Sequence, residues 1–383
     1  MTQWACWTPG CPAFKTSAHE RETDSRAAAT KMRAPAERHG EHSGGPLESS
    51  RTTVRNRRLV EMAASLASGI GSDRQRELLA LCAIKGIDWH FIAREALARG
   101  AVTHLLEGHP TERSTAATRA RKLVQSTRDS FPERLSRADD EIERAQRAGA
   151  RLITVLDEQY PANLKLVFNL PPFLFVRGSL CPADARSVAV VGTRKPSSEG
   201  LSRAEKMAAM LTVEGVTVVS GLANGIDTAA HKASLEAGGR TVAVVGTGIA
   251  RTYPRQNEAL ADEIAATGAV VSQFWPGSPP ARHNFPMRNV TMSGFCQGTV
   301  VIEASSTSGA KMQARLALEH GKFAFLLRSL VTRQSWAETY CKRHPRKAIE
   351  VSELADVLRH IRSPKRIAAV TEQHRQLALS LPS

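Results

Sequence analysis

The sequence predicts an α/β fold, in which a doubly wound, mostly parallel sheet follows a small helical module and a disordered N-terminal extension. From residue 187 onward, apolar β-branched runs of about four residues alternate with amphipathic helical segments, which is typical of a parallel sheet covered on both faces. Glycine-rich joints follow three of these runs. Farther upstream, apolar residues recur three and four positions apart, which is the period of a helix.

The chain before the sheet is predicted to have three parts. Residues 1–55 mix Pro, Gly, Ser, His and charged residues without an apolar period, and we expect them to be disordered. Residues 56–112 are expected to be the helical module, because segments such as RQRELLALCAIKG have helical periodicity and end on Gly. A charged helical connector is predicted over 113–150, with one helix from about Ser114 to Arg147.

The sheet domain is placed at 151–362 and is followed by a basic tail over 363–383. It begins with a short α/β lead-in, after which strands and helices alternate in the manner of βαβ units. An open sheet built in this way is Rossmann-like. The predicted strands are SVAVVG, VTVVSG, TVAVVG, AVVSQF, TVVIEA, KFAFLL and a last one in AIEVSELADVLRHI.

The composition favours a polyanionic partner. The 383 residues include 52 Lys and Arg against 37 Asp and Glu, which gives a net charge of +15. A balance this basic on a chain with an ordinary 42% of hydrophobic residues indicates nucleic acid binding. The alternative is a proteome that is rich in arginine throughout.

The cysteine pattern and hydropathy indicate a cytoplasmic protein. The six cysteines form neither a CxxC pair nor a cluster with histidine, so the sequence predicts neither a zinc site nor a disulfide framework. No apolar run approaches the roughly 18 residues that cross a bilayer, and the N-terminus lacks the pattern of a signal peptide. We therefore expect no membrane partner.

Three glycine-rich joints, at 190–200, 220–227 and 244–254, should share the carboxyl edge of the sheet. Helix N-termini at this edge present free N–H groups, so the joints predict an anion site. The alternative is that the glycines only allow helices to pack on strands. No joint is a Walker A motif or a GxGxxG fingerprint, and we expect no nucleotide cofactor. Arg194 and Lys195 are candidate phosphate contacts, or else solvated surface cations.

Titratable residues near the joints do not form a catalytic or metal-binding pattern. Asp227 and His231 share a helix face but lack a third ligand, so we expect Asp227 to complement the helix N-terminus and His231 to be bonded inside the fold. Glu303 is expected to accept hydrogen bonds from neighbouring loop amides. The sequence therefore predicts no catalytic residue and no metal.

A predicted loop at 281–294 combines Arg282, Phe285 and Arg288 with several amides. An aromatic ring among cations suits single-stranded nucleic acid, because a base stacks on the ring while arginine holds the backbone. An ordinary loop with Phe285 buried explains the same residues equally well.

These motifs together resemble the DprA/Smf family. The segments VAVVGTRKPSSEG, VTVVSGLANGIDTAAHKASLEAGG, YPRQN, HNFPMRN and EASSTSGAKMQARLALEHGK occur in that family's order over roughly 140–325. The resemblance implies a Rossmann-like domain that binds single-stranded DNA and hands it to a RecA-type recombinase during natural transformation. It also implies a homodimer without catalytic activity. The implied DNA contacts are Arg194, Lys195, Gly221, Asn224, Arg282, Phe285, Arg288 and Lys311.

The sequence departs from the family at three places. Asn224 stands where arginine is usual, Val290 stands where a basic residue is usual, and the Pro-Gly after the last core strand is missing. An alternative function is a nucleotide-sensing or nucleotide-processing enzyme related to the phosphoribohydrolases, but their PGGxGTxxE signature is absent. An NAD-linked oxidoreductase is disfavoured by the missing fingerprint.

Overall fold

The computed structural model describes residues 73–363 and 366. The predicted disorder at 1–55 and all but a small part of the predicted tail lie outside these residues. From Arg74 onward the described chain belongs to one compact unit. The predicted domain boundaries within it stay a prediction.

The helices and strands follow each other along the chain in the order that βαβ units require, after a group of helices at the N-terminal side. The strands are β1 Ala150–Thr154, β2 Phe173–Gly178, β3 Ser187–Val191, β4 Thr217–Ser220, β5 Thr241–Val244, β6 Ala269–Ser272, β7 Gly298–Val301, β8 Phe323–Leu327 and β9 Ala348–Val351. The helices are α1 (helical over 73–82), α2 Trp89–Arg99, α3 Thr103–Leu106, α4 Thr115–Ser126, α5 Phe131–Arg147, α6 Ser198–Val213, α7 Ile226–Glu236, α8 Glu258–Thr267, α9 Asn284–Phe295, α10 Gly309–Glu319, α11 Arg328–Arg333, α12 Ser335–Arg343 and α13 Leu354–Leu358.

In the described residues, one sheet holds nine strands in the order β1-β2-β6-β5-β4-β3-β7-β8-β9. Every pairing from β6 across to β9 is parallel. Strand β2 runs antiparallel to β6, and β1 runs antiparallel to β2. The predicted Rossmann-like, mostly parallel fold is therefore confirmed, and the lead-in adds an antiparallel pair at one side.

The central strands consist of apolar and small residues because no face of them meets water. All residues of β3, β4, β5, β6 and β7 are buried. A strand covered by helices on both faces needs a continuous apolar run, which is the pattern that the sequence shows.

The order of strands reverses at β3, which lies between β4 and β7. At such a switch point the loops that leave two neighbouring strands diverge and open a crevice at their carboxyl ends. The joints after β3, β4 and β5 all lie along this edge.

The segment 281–294, which the sequence predicts to be a loop, is mostly helix. Helix α9 begins at Asn284 and contains Pro286 in its first turn. Proline is tolerated there because the first N–H groups of a helix have no partner inside the helix. The prediction of a loop is therefore wrong for residues 284–294.

The charged connector contains two helices rather than one. Helix α4 ends at Ser126, and the Thr127 hydroxyl donates to the backbone carbonyl of Leu123. Helix α5 then begins with a proline in its first turn. A proline at the start of a helix fits only where no N–H is needed, so it separates the two helices.

The N-terminal helices contact the sheet near its carboxyl edge. The ring of Trp89, in α2, lies 5.1 Å from Phe173 and 5.9 Å from Trp275, measured between ring centroids. Phe173 begins β2, and Trp275 follows β6. The Trp89 ring thus joins the helices to the loop that leads into α9.

Candidate functional site

The glycines of the three joints let the loops close on each other. A Cβ on Gly192 would lie 2.4 Å from the Ile226 side chain, and one on Gly246 would lie 2.8 Å from the Phe285 ring. A Cβ on Gly221 would lie 2.2 Å from the Arg288 guanidinium. Contacts this short are not possible for a side chain, so packing inside the protein already requires glycine here. The predicted anion site stays a prediction.

Arg288 holds the joints together from inside. Only 6% of it is exposed, and its Nη1 donates to the carbonyls of Gly221 and Val244, each at 2.6 Å. These carbonyls belong to the joint after β4 and to the end of β5. The structure therefore places two implied DNA contacts, Arg288 and Gly221, in the interior.

The carboxyl group of Asp227 is a second internal support. It accepts hydrogen bonds from the N–H groups of Gly221 and Ala223, at 3.1 and 3.4 Å. Burial raises the pKa of Asp227, whereas the charge of Arg288 and these N–H donors act to lower it. Asp227 thus complements the joint beside the N-terminus of α7.

His231 is bonded inside the fold, as the sequence predicts. Its Nδ1 lies 2.7 Å from the Thr241 hydroxyl, and the residue is fully buried. Burial, with a contribution from the Arg288 charge, lowers the pKa of His231 to about 3. The imidazole is therefore neutral at physiological pH and has a structural role.

Glu303 lies at the switch point itself. Its carboxylate accepts hydrogen bonds from the Ser197 N–H at 2.9 Å and the Ser197 hydroxyl at 3.0 Å. Ser197 is the N-cap of α6. In dinucleotide-binding Rossmann folds this helix N-terminus receives the pyrophosphate, whereas here a carboxylate of the protein takes that position.

An exposed group of an arginine and two aromatic rings lies on the outer side of the same joints. We call Arg194, Tyr253 and Phe285 the edge cluster. The Arg194 guanidinium lies 5.4 Å from the centre of the Phe285 ring, and the Tyr253 ring lies 5.8 Å from it. Arg194 and Tyr253 are exposed and Phe285 is half-buried. The distance of the guanidinium from the ring is that of a cation–π contact.

Tyr253 has no place among the predicted contacts, although 42% of it is exposed. The only signal for it is that it is the first residue of the YPRQN segment. Three predicted residues lie exposed at the carboxyl edge with the edge cluster, namely Lys195, Asn224 and Arg282.

Lys311 is directed at a different ring. Its ammonium lies 5.8 Å from the centre of the Trp336 ring, which belongs to α12. Its backbone N–H donates to the hydroxyl of Ser308, the N-cap of α10. Helix α12 was not predicted from the sequence.

Within the described residues, no group of three or more His, Cys, Asp or Glu side chains is arranged to hold a metal ion. None of the helices described there is long and apolar enough to cross a membrane.

The fold and the site define a Rossmann-like α/β protein whose carboxyl edge carries exposed cations beside aromatic rings. The chain belongs to the family of DNA recombination-mediator protein A, which matches residues 151–362. The resemblance to DprA/Smf proteins is thereby confirmed.

Two curated relatives show how far the similarity extends. The DNA processing protein DprA of Streptococcus pneumoniae (strain ATCC BAA-255 / R6) is 41% identical over 174 residues, which cover 45% of this chain and 61% of that protein. Protein Smf of Escherichia coli (strain K12) is 41% identical over 177 residues, which cover 46% of this chain and 47% of that protein. The matched region thus spans 47% to 61% of these relatives.

A solved structure extends the match beyond the sheet domain. The X-ray structure of DprA from Streptococcus pneumoniae has a TM-score of 0.61 with this chain at 29% sequence identity. The superposition covers 76% of this chain and 98% of that one. It therefore reaches further along the chain than residues 151–362.

Proposed function

We propose that this protein binds single-stranded DNA along the carboxyl edge of its sheet. The observation that carries the proposal is the edge cluster, in which the Arg194 guanidinium lies over the half-buried Phe285 ring and the exposed Tyr253 ring packs beside Phe285. Bases of any sequence stack on such rings, and arginine holds the phosphates. Membership in the family of DNA recombination-mediator protein A supports this assignment.

The protein acts by binding rather than by catalysis. The titratable side chains closest to the joints are engaged within the fold, because Asp227 and Glu303 accept backbone N–H groups and His231 is buried and neutral. A nucleotide-processing enzyme would need the N-terminus of α6 for phosphate, and Glu303 fills it. The geometry thus favours DNA binding over that alternative.

The biological role that follows is to protect incoming single-stranded DNA and to hand it to a RecA-type recombinase. The protein acts as a homodimer in the cytoplasm during DNA-mediated transformation or recombination. These parts of the proposal are supported by the family membership. A pull-down of RecA on DNA-loaded protein, compared with protein without DNA, tests the handover, and equal absence of RecA from both would contradict it.

Fluorescence anisotropy with a labelled oligothymidylate tests DNA binding directly. We expect tight binding at low salt, an affinity that falls linearly on a log–log plot as salt rises, and weaker competition by duplex DNA. Nucleotide hydrolysis is measured on the same preparation and is expected to be absent. Lack of binding at low salt, or steady hydrolysis, would overturn the proposal.

A further inference from the structure

A second basic surface lies on α4, away from the joints. Residues 113–128 contain five cations and no acidic residue. All five side chains are exposed, namely Arg113, Arg119, Arg121, Lys122 and Arg128. Within the described residues, none of them forms a salt bridge, whereas Arg144 and Arg147 on the neighbouring α5 each pair with a glutamate of their own helix.

The packing of α4 fixes the direction of these charges. Ala117, Ala120 and Val124 are buried, and they follow each other at intervals of three and four residues on one face of the helix. The opposite face carries Arg119 and Lys122 outward together with short hydroxyl side chains, whereas Arg121 lies on a flank of the helix, where its side chain passes close to Gly108. Such a face has hydrogen-bond donors for phosphate and no exposed ring for base stacking.

The turn between α1 and α2 extends this surface. Gly86 has a φ of +95°, and a Cβ built on it would lie 3.1 Å from Nη2 of Arg119. The Arg119 guanidinium thus lies over the turn, where Lys85 is also exposed. We call Lys85, Arg119, Arg121 and Lys122 the α4 surface.

Two acidic residues near this surface in sequence, Asp88 and Glu112, are engaged elsewhere, whereas the exposed Asp129 lies beyond the C-terminal end of α4. The Asp88 carboxylate accepts the N–H of His90 as the N-cap of α2, and Glu112 pairs with Arg94 at 2.6 Å. They therefore leave the cations of the α4 surface available to an external anion.

Ring packing joins the helix that follows the Gly86 turn to the loop after β6. The turn at Gly86 leads directly into α2, whose Trp89 packs on Trp275. Trp275 in turn begins the loop that leads to Arg282 and α9. These contacts place the turn that precedes α2 next to the loop that precedes α9.

We propose that the α4 surface binds the phosphate backbone of the same single-stranded DNA, outside the stretch held by the edge cluster. The inference rests on the proposed function, and it adds a sequence-independent contact that only a longer strand reaches. Cations that neutralise phosphates release counterions, so each contact adds to the salt dependence of binding.

The test compares a short and a long labelled oligothymidylate, of about 8 and about 30 nucleotides, on the full chain. The triple variant Arg119→Gln, Arg121→Gln, Lys122→Gln is expected to bind the long strand at least about tenfold more weakly at 0.1 M salt. The slope of log affinity against log salt should fall by about two for the long strand. For the short strand we expect a change of less than about twofold, since it is held at the edge cluster.

Two control variants separate contact from general charge and from loss of the fold. The first control removes three charges from α6 and α7 through Arg203→Gln, Lys206→Gln and Lys232→Gln. The slopes of log affinity against log salt for the short and the long strand should stay as in the wild type. Arg119→Lys, Arg121→Lys keeps the charges and should keep the long-strand slope. The melting temperature of each variant is measured beside its binding.

The outcomes distinguish this inference from the proposed function. Three results for the triple variant would overturn binding at the α4 surface. They are an unchanged salt slope for the long strand, an equal loss of affinity for both strands, and a loss of affinity seen only with duplex DNA. Arg194→Ala is measured in parallel. If it changes the affinity for neither strand, the proposed edge site is wrong, whereas a loss of long-strand affinity in the triple variant would still support the α4 surface. Binding of neither strand by the wild type overturns both.

Discussion

The joints at the carboxyl edge carry two arginines with opposite roles. Arg288 lies beneath the joints, 6% exposed, with its guanidinium bonded to two backbone carbonyls. Arg194 lies on the outside, exposed, with its guanidinium over the Phe285 ring. Both belong to motifs shared with the family, so a motif alone does not say which cation is bonded inside the fold and which is exposed at the edge.

The comparison predicts that the interior group controls stability and the exposed group controls binding. Phe285 belongs to both, because its ring meets Gly246 on one side and Arg194 on the other. Variants of the interior residues should therefore lose free energy of unfolding, whereas variants of the edge cluster should lose affinity for DNA at unchanged stability.

The largest effect is expected for Arg288→Ala. The change leaves the carbonyls of Gly221 and Val244 without a donor and removes the positive charge beside the buried Asp227. Breaking one partner of a buried charged group lowers the free energy of unfolding by about 3–5 kcal/mol. Urea denaturation followed by circular dichroism measures this loss. A variant as stable as the wild type would remove Arg288 from the interior role.

A smaller loss of stability is expected for Gly246→Ala, because Gly246 contacts the Phe285 ring of the edge cluster from the interior. The new Cβ would lie 2.8 Å from the Phe285 ring, so the ring has to move. Overpacking of this kind lowers the free energy of unfolding by about 1–3 kcal/mol, and DNA affinity should fall with it. Gly309→Ala is the matched control, because its Cβ meets nothing within 4 Å. Equal behaviour of the two variants in both assays would contradict the account.

The pH dependence of the free energy of unfolding tests the buried, neutral state of His231. The pKa of His231 is about 3 in the folded protein and near 6.5 when unfolded, so the unfolded state binds more protons between these values. Its contribution to stability is complete above pH 6.5 and is lost as pH falls toward 3, at about 1.4 kcal/mol per pH unit. Asp227, whose pKa is raised, opposes this loss in the acid range. Urea titrations of wild type and His231→Gln at several pH values should differ in slope, and parallel profiles would disprove the assignment.

The smallest change in stability is expected for Arg194→Ala. Exposed substitutions of this kind change the free energy of unfolding by less than about 0.5 kcal/mol. Affinity for single-stranded DNA should fall about fivefold, because a phosphate contact and the support of the Phe285 ring are lost. Anisotropy measures this fall, with Lys206→Ala on α6 as the control. If Lys206→Ala weakens binding as much, the effect belongs to overall charge.

The parts of the fold that the sequence predicts are those with a local pattern. The strands β3 to β9 were predicted from short apolar runs and the helices between β3 and β8 from helical periodicity, because both faces of the sheet are covered. The antiparallel partners β1 and β2 could not be predicted, since their pairing joins distant segments and leaves no period in either one.

The same reasoning explains which of the predicted site residues lie on the surface. Arg194, Lys195, Asn224 and Arg282 follow strands or precede a helix, and loops there reach the surface. Arg288 was taken as a surface contact because α9 was taken as a loop. In a helix, Arg288 shares a face with the buried Asn284 and Met292, four residues away on either side, so helical periodicity would have placed it inside.

The central claim is that the edge cluster holds single-stranded DNA while the layer beneath it holds the fold. The most direct measurement is the anisotropy-derived affinity of the double variant Arg194→Ala, Tyr253→Ala, taken beside its free energy of unfolding. The account predicts an affinity for single-stranded DNA at least about tenfold below that of the wild type, because a stacking ring and a cation are lost, with stability unchanged. Wild-type affinity in this folded variant would contradict it.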